Sequence, residues 1–381
     1  MPRVLLRSLF ALVVAAAAVL IGWRVLRPAE VLATATPPYP TTPAVWPHVI
    51  GRTPIAPLIV EDRVRIYASK RQIRADAPAD ADTVRTAIWS FRRWPEQLSG
   101  VVATGHIVIS RWSDGALVAG DAGTGKIVWR AEGPSGPGYS GHRTGAGTVW
   151  QPDGLRVAGH RVLVTAGGQI SAYEASTGAR LWTSATACDD GFTTAGGQLL
   201  CPSGALDSAT GAAAASFPAG PYTPVGCDVA SSGCAALRDA AGHGWLTAGA
   251  TPVRAAALDR PDATVAAGLV FYPEGNRLRS VDPVTGAARH DYPVAHVLGV
   301  SAGRVVLLTA DRTLLAIDPR TGLTVARYPM ANENESLTWD PGLWQVTDRF
   351  VAVERLAVDR PDNPDTPGYY FSVNTVLIAE L

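Results

Sequence analysis

Apolar residues along most of this chain come in short runs, broken by clusters of Gly, Asp, Pro, Thr and Arg. The stretch GRVVLLTADRTLLAID (303–318) is representative: two runs rich in Val, Leu, Ile and Thr, with turn residues between, read as paired β-strands. One segment departs from this pattern. SLFALVVAAAAVLIGW (8–23) carries no charge over 16 residues, with Arg3 and Arg7 before it and Arg24 and Arg27 after it. It reads as a membrane-directing helix, although a span needs roughly 20 apolar residues, so Val25 and Leu26 must be included and Arg24 must snorkel to the interface. A cleaved signal peptide is the alternative, since ATA (33–35) has the small-x-small form of a cleavage site. Arg24, Arg27 and Glu30 separate that site from the apolar run and favour an uncleaved anchor. Arginines are balanced across the segment, so local charge does not set its orientation.

The expected organisation is therefore a cytoplasmic stub and transmembrane signal anchor (1–27), a Pro-rich linker (28–51) and an extracytoplasmic domain (52–381). Five prolines between positions 37 and 47 favour extended, semi-rigid chain in the linker.

GDAGTGKIVW (120–129) satisfies all but the last position of the phosphate-binding pattern G-x-x-x-x-G-K-[ST]; Ile127 stands where a hydroxyl would meet magnesium. Its relatives elsewhere in the chain decide what it is. LVAGDAGTGKIVW (117–129), ISAYEASTGARLW (170–182), GALDSATGAAAASF (204–217), LRSVDPVTGAARHDY (278–292) and LLAIDPRTGLTVARY (314–328) share the form A/S-x-D/E-x-x-T-G. Asp121, Asp207, Asp282 and Asp318 can accept the backbone N–H groups ahead of them and close an Asx-type turn, while Gly125, Gly178, Gly211, Gly286 and Gly322 supply the positive φ that ends it. Glu174 is one methylene too long for this and should give a looser corner. These are strand-to-strand turns, not a nucleotide cradle.

An aromatic residue follows each corner. Trp129 and Trp182 lie four residues past the glycine, and Phe217, Tyr292 and Tyr328 lie six past it. Four and six fall on the same face of a strand, so one ring per repeat is expected to point the same way. The small residue two before the acid (Ala119, Ala172, Ala205, Ser280, Ala316) is expected to make room for a neighbour's ring. Acid-to-acid spacings of 53, 33, 75 and 36 suit units of about 35 to 45 residues. The value 75 hides a degenerate unit in 222–254, and 53 contains the insertion GPSGPGYSGHRTGAGTV (133–149). Units of this size with four short strands are blades of a β-propeller. Six fill 97–330; the segments 54–95 and 338–381 form one blade each or share one. The fold expected is all-β, a β-propeller of eight, alternatively seven, four-stranded blades, preceded by a transmembrane helix.

Composition narrows the partners. Equal numbers of basic and acidic residues, 33 each, give no polyanion-binding surface, and nucleic acid is excluded as a partner. Four cysteines fit an oxidising compartment as two disulfides, with Cys188–Cys201 and Cys227–Cys234 the favoured local pairs and buried free thiols the alternative. Their spacings lack a zinc knuckle.

The A-x-D-x-x-T-G-x-x-x-W pattern of AGDAGTGKIVW and AYEASTGARLW resembles the tryptophan-docking repeat of the pyrroloquinoline-quinone-like β-propellers. That family includes quinoprotein dehydrogenases and the propeller lipoprotein of outer-membrane assembly. The resemblance implies that Trp129 and Trp182 stack on the Thr-Gly peptide of an adjacent blade. It covers 97–330 well and the ends poorly. The dehydrogenases of the family resemble one another in a pair of adjacent cysteines beside the quinone, and no two cysteines are adjacent here. No cofactor is therefore expected.

Gly136, Gly138 and Gly141 have G-x-G-x-x-G spacing, but Pro137 lies within and no helical pattern follows, so a flexible loop is expected rather than a dinucleotide site. Tyr139, His142 and Arg143 on that long excursion are the candidate ligand contacts, because binding residues concentrate on loops carried by a rigid scaffold. The seven histidines show no metal-ligand spacing. Glu333, Glu335 and Asp340 make an oxygen-rich loop without the calcium-loop pattern, and 358–370 is a proline-rich hairpin loop. No catalytic, cofactor or metal residues are assigned. The function expected is a membrane-anchored binding or scaffolding module of the cell envelope engaging a protein or polymer, the alternative being an enzyme that uses the central funnel.

Overall fold

The computed structural model describes residues 2–36, 47–78, 87–228, 233–331, 335 and 338–381. Among the described residues the strands form eight antiparallel sheets placed radially around one axis, an eight-bladed β-propeller. Blade 1 is Pro57–Val60, Val64–Ser69, Gln72–Asp76 and Ala87–Trp94, counted from the hub outward, with Ala29–Ala33 added as a fifth, outermost strand. Blade 2 is Leu98–Thr104, Ile107–Trp112, Ala116–Asp121 and Ile127–Glu132; blade 3 is Leu155–Ala158, Arg161–Ala166, Gln169–Glu174 and Arg180–Ser184. Blade 4 has Phe192–Thr193, Gln198–Cys201 and Gly204–Asp207. Blade 5, the degenerate unit, is Thr223–Asp228, Gly233–Arg238, Gly244–Leu246 and Val253–Arg254. Blade 6 is Thr264–Ala266, Leu269–Glu274, Arg277–Val281 and Ala288–Pro293; blade 7 is Ala295–Ser301, Arg304–Thr309, Thr313–Ile317 and Thr324–Pro329. Blade 8 takes Trp339–Val346, Phe350–Ala357 and Val376–Glu380 from the end of the sequence and Val49–Thr53 from its beginning. The two terminal segments thus form a blade each, and an early strand completes the last one.

Burial explains the sequence pattern. A blade is covered on both faces by its neighbours, so its second strand reads as an unbroken apolar run: Val305, Val306, Leu307 and Leu308 are all fully buried. The outermost strand of the same blade, Thr324–Pro329, alternates between exposed and half-buried positions because it meets solvent.

Three expectations are corrected. Blade 4 has three strands, not four; after the Gly211 corner the chain runs AAAASFPAGP, where alanines offer little strand-forming surface and Pro218 and Pro221 donate no ladder bond, leaving only the bridge Leu206 to Ala213. At the other end, Pro2–Leu26 does form a helix, but among the described residues no helix is long and apolar enough to cross a membrane. Within the segment read as a linker, residues 37–46 lie outside the described residues, and Ala29–Ala33 and Val49–Thr53 are strands. Glu30 holds the first of these to the propeller through Arg93 (2.9 Å) and Arg130 (2.8 Å).

The third correction concerns the rings. All five corner glycines have φ between 70° and 73°, and each donates its N–H to the carbonyl of its corner acid at 2.8–2.9 Å. Asp121, Asp207 and Asp282 accept the threonine N–H at 2.7, 2.9 and 2.9 Å, whereas the Glu174 carboxylate accepts the Ser176 hydroxyl at 3.3 Å. Trp89, Trp129 and Trp182 lie over Gly125, Gly178 and Gly211 of the next blade, their indole N–H groups donating to Ala122, Ala175 and Ser208 carbonyls at 2.7, 2.7 and 3.0 Å. In blade 6 the docking ring is His290 on Gly322, not Tyr292. Where the blade has a corner glycine, the docking ring, Trp129, Trp182 or His290, stands four past it. Phe217, Tyr292 and Tyr328, six past, pack into clusters formed with neighbouring strands instead. The small residues also act differently from expectation: Ala75, Ala119, Ala172 and Ser280 pair directly across from Trp89, Trp129, Trp182 and His290 of their own blade, beside a β-bulge. The bulge re-aims the ring toward the neighbouring blade.

Both disulfides form as the local pairs, Cys188–Cys201 and Cys227–Cys234.

Candidate functional site

Each blade is an antiparallel meander, so the acid-to-glycine corners lie on one face of the disc and the blade-to-blade connections on the other. The long connection from blade 2 to blade 3 turns inward on that second, loop face. It is held by a buried cation. Arg111 is fully buried, and its terminal nitrogens donate to the carbonyls of Asp153, Gly154 and Thr165 (3.3, 3.0 and 3.4 Å) and of Pro134 and Ser135 (3.3 and 3.0 Å). Burial pulls its pKa below the usual arginine value.

Where a flexible loop was expected, the insertion folds into a short helix, Ala146–Trp150, entered through Gly145 at φ 72°. The helix packs on the innermost strands of blades 1, 2 and 8. Ala146, Val149 and Trp150 are buried, Trp150 Nε1 donates to the Pro57 carbonyl at 2.9 Å, and the Ala56 N–H donates to the Thr144 carbonyl at 2.8 Å. The blade 1 side of the hub is thereby filled.

Of Tyr139, His142 and Arg143, the last two meet a second excursion, the loop 358–375 of blade 8. His142 Nδ1 lies 3.0 Å from Asp365 Oδ1, and Arg143 donates to the Ser372 carbonyl at 3.0 Å while its guanidinium sits 5.5 Å from the Tyr370 ring centre. Tyr139 turns the other way: its N–H donates to Gln97 Oε1 at 3.2 Å, and burial raises its phenol pKa against the lowering effect of a bond with Thr148. His142 and Arg143 thus splice two loops into one rim. Of the acidic loop, Glu335 pairs with Arg355 (2.7 Å) and Asp340 with Arg312 and Arg360 (3.0 and 3.1 Å); Glu333 lies outside the described residues.

Beneath that splice Glu354 is buried, accepting from the Thr144 hydroxyl at 2.6 Å and the Leu343 N–H at 3.2 Å. Burial raises its pKa, and these hydrogen bonds, with His142 nearby, only partly oppose the rise. Between the ordinary carboxylate value and this raised one, the folded protein binds a proton that the unfolded chain has released, so the group's contribution to stability grows as pH falls through that window. We expect Glu354→Gln to remove this part of the pH dependence. Melting temperatures of both proteins from pH 4 to 7 check it, and parallel curves would refute the assignment.

Beside the helix a central cavity of about 1130 Å³ remains, bounded by the hub strands of blades 2 to 8. Val102, Val157, Phe192, Val265, Val297 and Trp344 give it an apolar wall. Charge is set around it by residues from separate blades and connections: Asp153, Arg156, Asp190, Asp262, His296 and Arg312. Burial lowers the pKa of Arg156, which donates to the Pro152 and Leu155 carbonyls. His296 is also lowered, first by burial and then by Arg312. The Arg260 hydrogen bond holds Asp262 below the usual carboxylate range. Among the described residues no group of three His, Cys, Asp or Glu side chains could hold a metal ion. None of these six belongs to the repeat, and no motif in the sequence marks them.

The sequence profile described as Outer membrane protein assembly factor BamB matches residues 80–205 and 113–297, together more than half of the chain. The chain belongs to this family. Among solved structures, BamB from Moraxella catarrhalis is similar at 15% identity, covering 92% of this chain and 100% of that one with a TM-score of 0.43. The quinohemoprotein alcohol dehydrogenase from Comamonas testosteroni is similar at 15% identity, covering 92% and 76% with a TM-score of 0.41. The computationally designed Ika8 protein is similar at 13% identity, covering 87% and 99% with a TM-score of 0.48. No curated protein matches the chain. The BamB family profile takes in blades 2 to 6 whole, so it spans the insertion that shapes the hub.

Proposed function

We propose that this BamB-family propeller is a binding module of the cell envelope that engages a protein partner through the loop-face mouth of the central cavity. The observation that carries the reading is the cavity itself. Its apolar residues Val102, Val157, Phe192, Val265, Val297 and Trp344 sit on hub strands, and charges of both signs from strands and connections surround it. Such a surface suits an extended segment that presents apolar side chains inward and polar groups at the rim. The two disulfides support an oxidising compartment, and the family description supports a role beside envelope proteins. The apolar N-terminal helix serves in this proposal as the attachment to a membrane, its Phe10, Leu12, Val19, Leu20 and Trp23 all exposed.

Photo-crosslinking in intact cells tests it. A benzophenone amino acid at Asp190 or His296 should give discrete adducts, and the same group at Arg320, on the corner face and 88% exposed, should give none. Identical patterns from the two faces would remove the cavity mouth from the proposal.

A further inference from the structure

The two disulfides occupy different surroundings. Cys188 and Cys201 are both buried, 2% and 1% exposed, among Ala158, Leu163, Ile170 and Leu199. Cys227 and Cys234 instead line the central cavity. They sit directly opposite one another on the two inner strands of blade 5, with Cys234 only 2% exposed and Cys227 exposed. Cys234 is held independently of its sulfur. Its carbonyl accepts from the Ala195 N–H at 3.0 Å and the Thr247 hydroxyl at 2.8 Å, and its backbone bridges to Thr194 of blade 4. Cleaving the bond would therefore leave Cys234 where it is, and the flanking pairs Val225 to Ala236 and Pro224 to Leu237 would keep the two strands together.

We propose that Cys227–Cys234 is a thiol–disulfide exchange site, acted on from the central cavity by a dithiol reductant. Exchange needs a thiolate to reach one sulfur of the bond, and Cys227 is the one within reach. A thiolate of the reductant attacks Cys227 Sγ; the Cys227–Cys234 bond breaks, and Cys234 leaves as a thiolate that takes up a proton. The reductant's second thiol then attacks its own sulfur in the mixed disulfide, and Cys227 leaves as a thiolate and is protonated in turn. Two electrons and two protons pass to the protein, and the dithiol is oxidised to its disulfide. The change is local: a covalent clasp in the cavity wall opens while Cys188–Cys201, packed away from any approach, keeps blade 4 closed.

Graded reduction of the full-length protein with dithiothreitol, followed by alkylation and peptide mass mapping, tests the proposal. Cys227 and Cys234 should become alkylated at a dithiothreitol concentration at least ~10-fold lower than Cys188 and Cys201, with the far-ultraviolet circular dichroism unchanged. Opening of Cys188–Cys201 first or at the same concentration overturns it, as does labelling of Cys227 and Cys234 only when the dichroism is lost. Two single variants test the direction of attack. The Cys227 thiol in Cys234→Ser should react with dithiobis(nitrobenzoate) at least ~10-fold faster than the Cys234 thiol in Cys227→Ser, because only the first is exposed. Equal rates overturn the assignment of Cys227 as the attacked sulfur.

Discussion

Replacing Arg111 with methionine is expected to lower the unfolding free energy by about 3 kcal/mol and to expose residues 133–154 to protease. The side chain is fully buried, and its terminal nitrogens donate to five main-chain carbonyls: Pro134 and Ser135 at one end of the connection, Asp153 and Gly154 at the other, and Thr165 in blade 3. Methionine fills much of the volume but donates nothing, so those carbonyls lose a charged donor in a place water reaches poorly. Lysine should not rescue the loss, since one ammonium cannot span two sets of acceptors the way a planar guanidinium does. A urea titration of the three proteins, read with limited proteolysis, checks both parts. An unchanged midpoint, or cleavage that does not concentrate in the insertion, would show that the loop is held by the hub helix alone.

The second large effect belongs to the tryptophan docking. Trp129→Ala should cost about 3 to 5 kcal/mol, the range for emptying a buried aromatic site. Trp129 is 7% exposed, covers Gly178 of the next blade and hydrogen-bonds across to Ala175 at 2.7 Å, so its loss opens an interface between blades as well as a cavity. Gly178→Ala should also be severe, because a Cβ there would come within 2.5 Å of the indole. Gly286→Ala is the control. Its backbone has φ of 70°, like the other corners, yet nothing lies within 4 Å of an added Cβ, so only the conformational cost of about 1 kcal/mol remains. Thermal melts of the three variants should rank in that order. If Gly286→Ala were as damaging as Gly178→Ala, the strain of the turn would outweigh the loss of docking.

That contrast also shows what the sequence could and could not tell. The corners were legible because each is a local device: an acid, a threonine and a glycine within five residues determine one turn. Which residue docks on them was not: Tyr292 and His290 are two apart and share a face of the outer strand, and only their distance from the corner decides that His290, opposite Ser280, meets Gly322. Trp89 was missed for the opposite reason. Its blade keeps the small residue and the ring, Ala75 opposite Trp89, but lacks the Thr-Gly corner that announces the other copies. Blade 4's missing strand could be suspected only in hindsight from its alanines and prolines. Among the candidate contacts, Tyr139, His142 and Arg143 were correctly placed on a long excursion, but nothing in the sequence pairs 142 with 365 or 143 with 372. The cavity charges were beyond reach for the same reason: Asp153, Arg156, Asp190, Asp262, His296 and Arg312 come together only when the blades are arranged in a circle.

The pairing of Val49–Thr53 with Val376–Glu380 bears on how the molecule is made. During synthesis the early strand emerges long before its partner, so it must wait with an unpaired edge while the intervening blades assemble. Until the late strand arrives, the disc is an open fan with two bare margins, the form most exposed to sticking to other nascent chains. Completion is then a single zipping event that converts a sequential stack into a hoop, and from that moment no blade can peel away without breaking contacts on both of its sides.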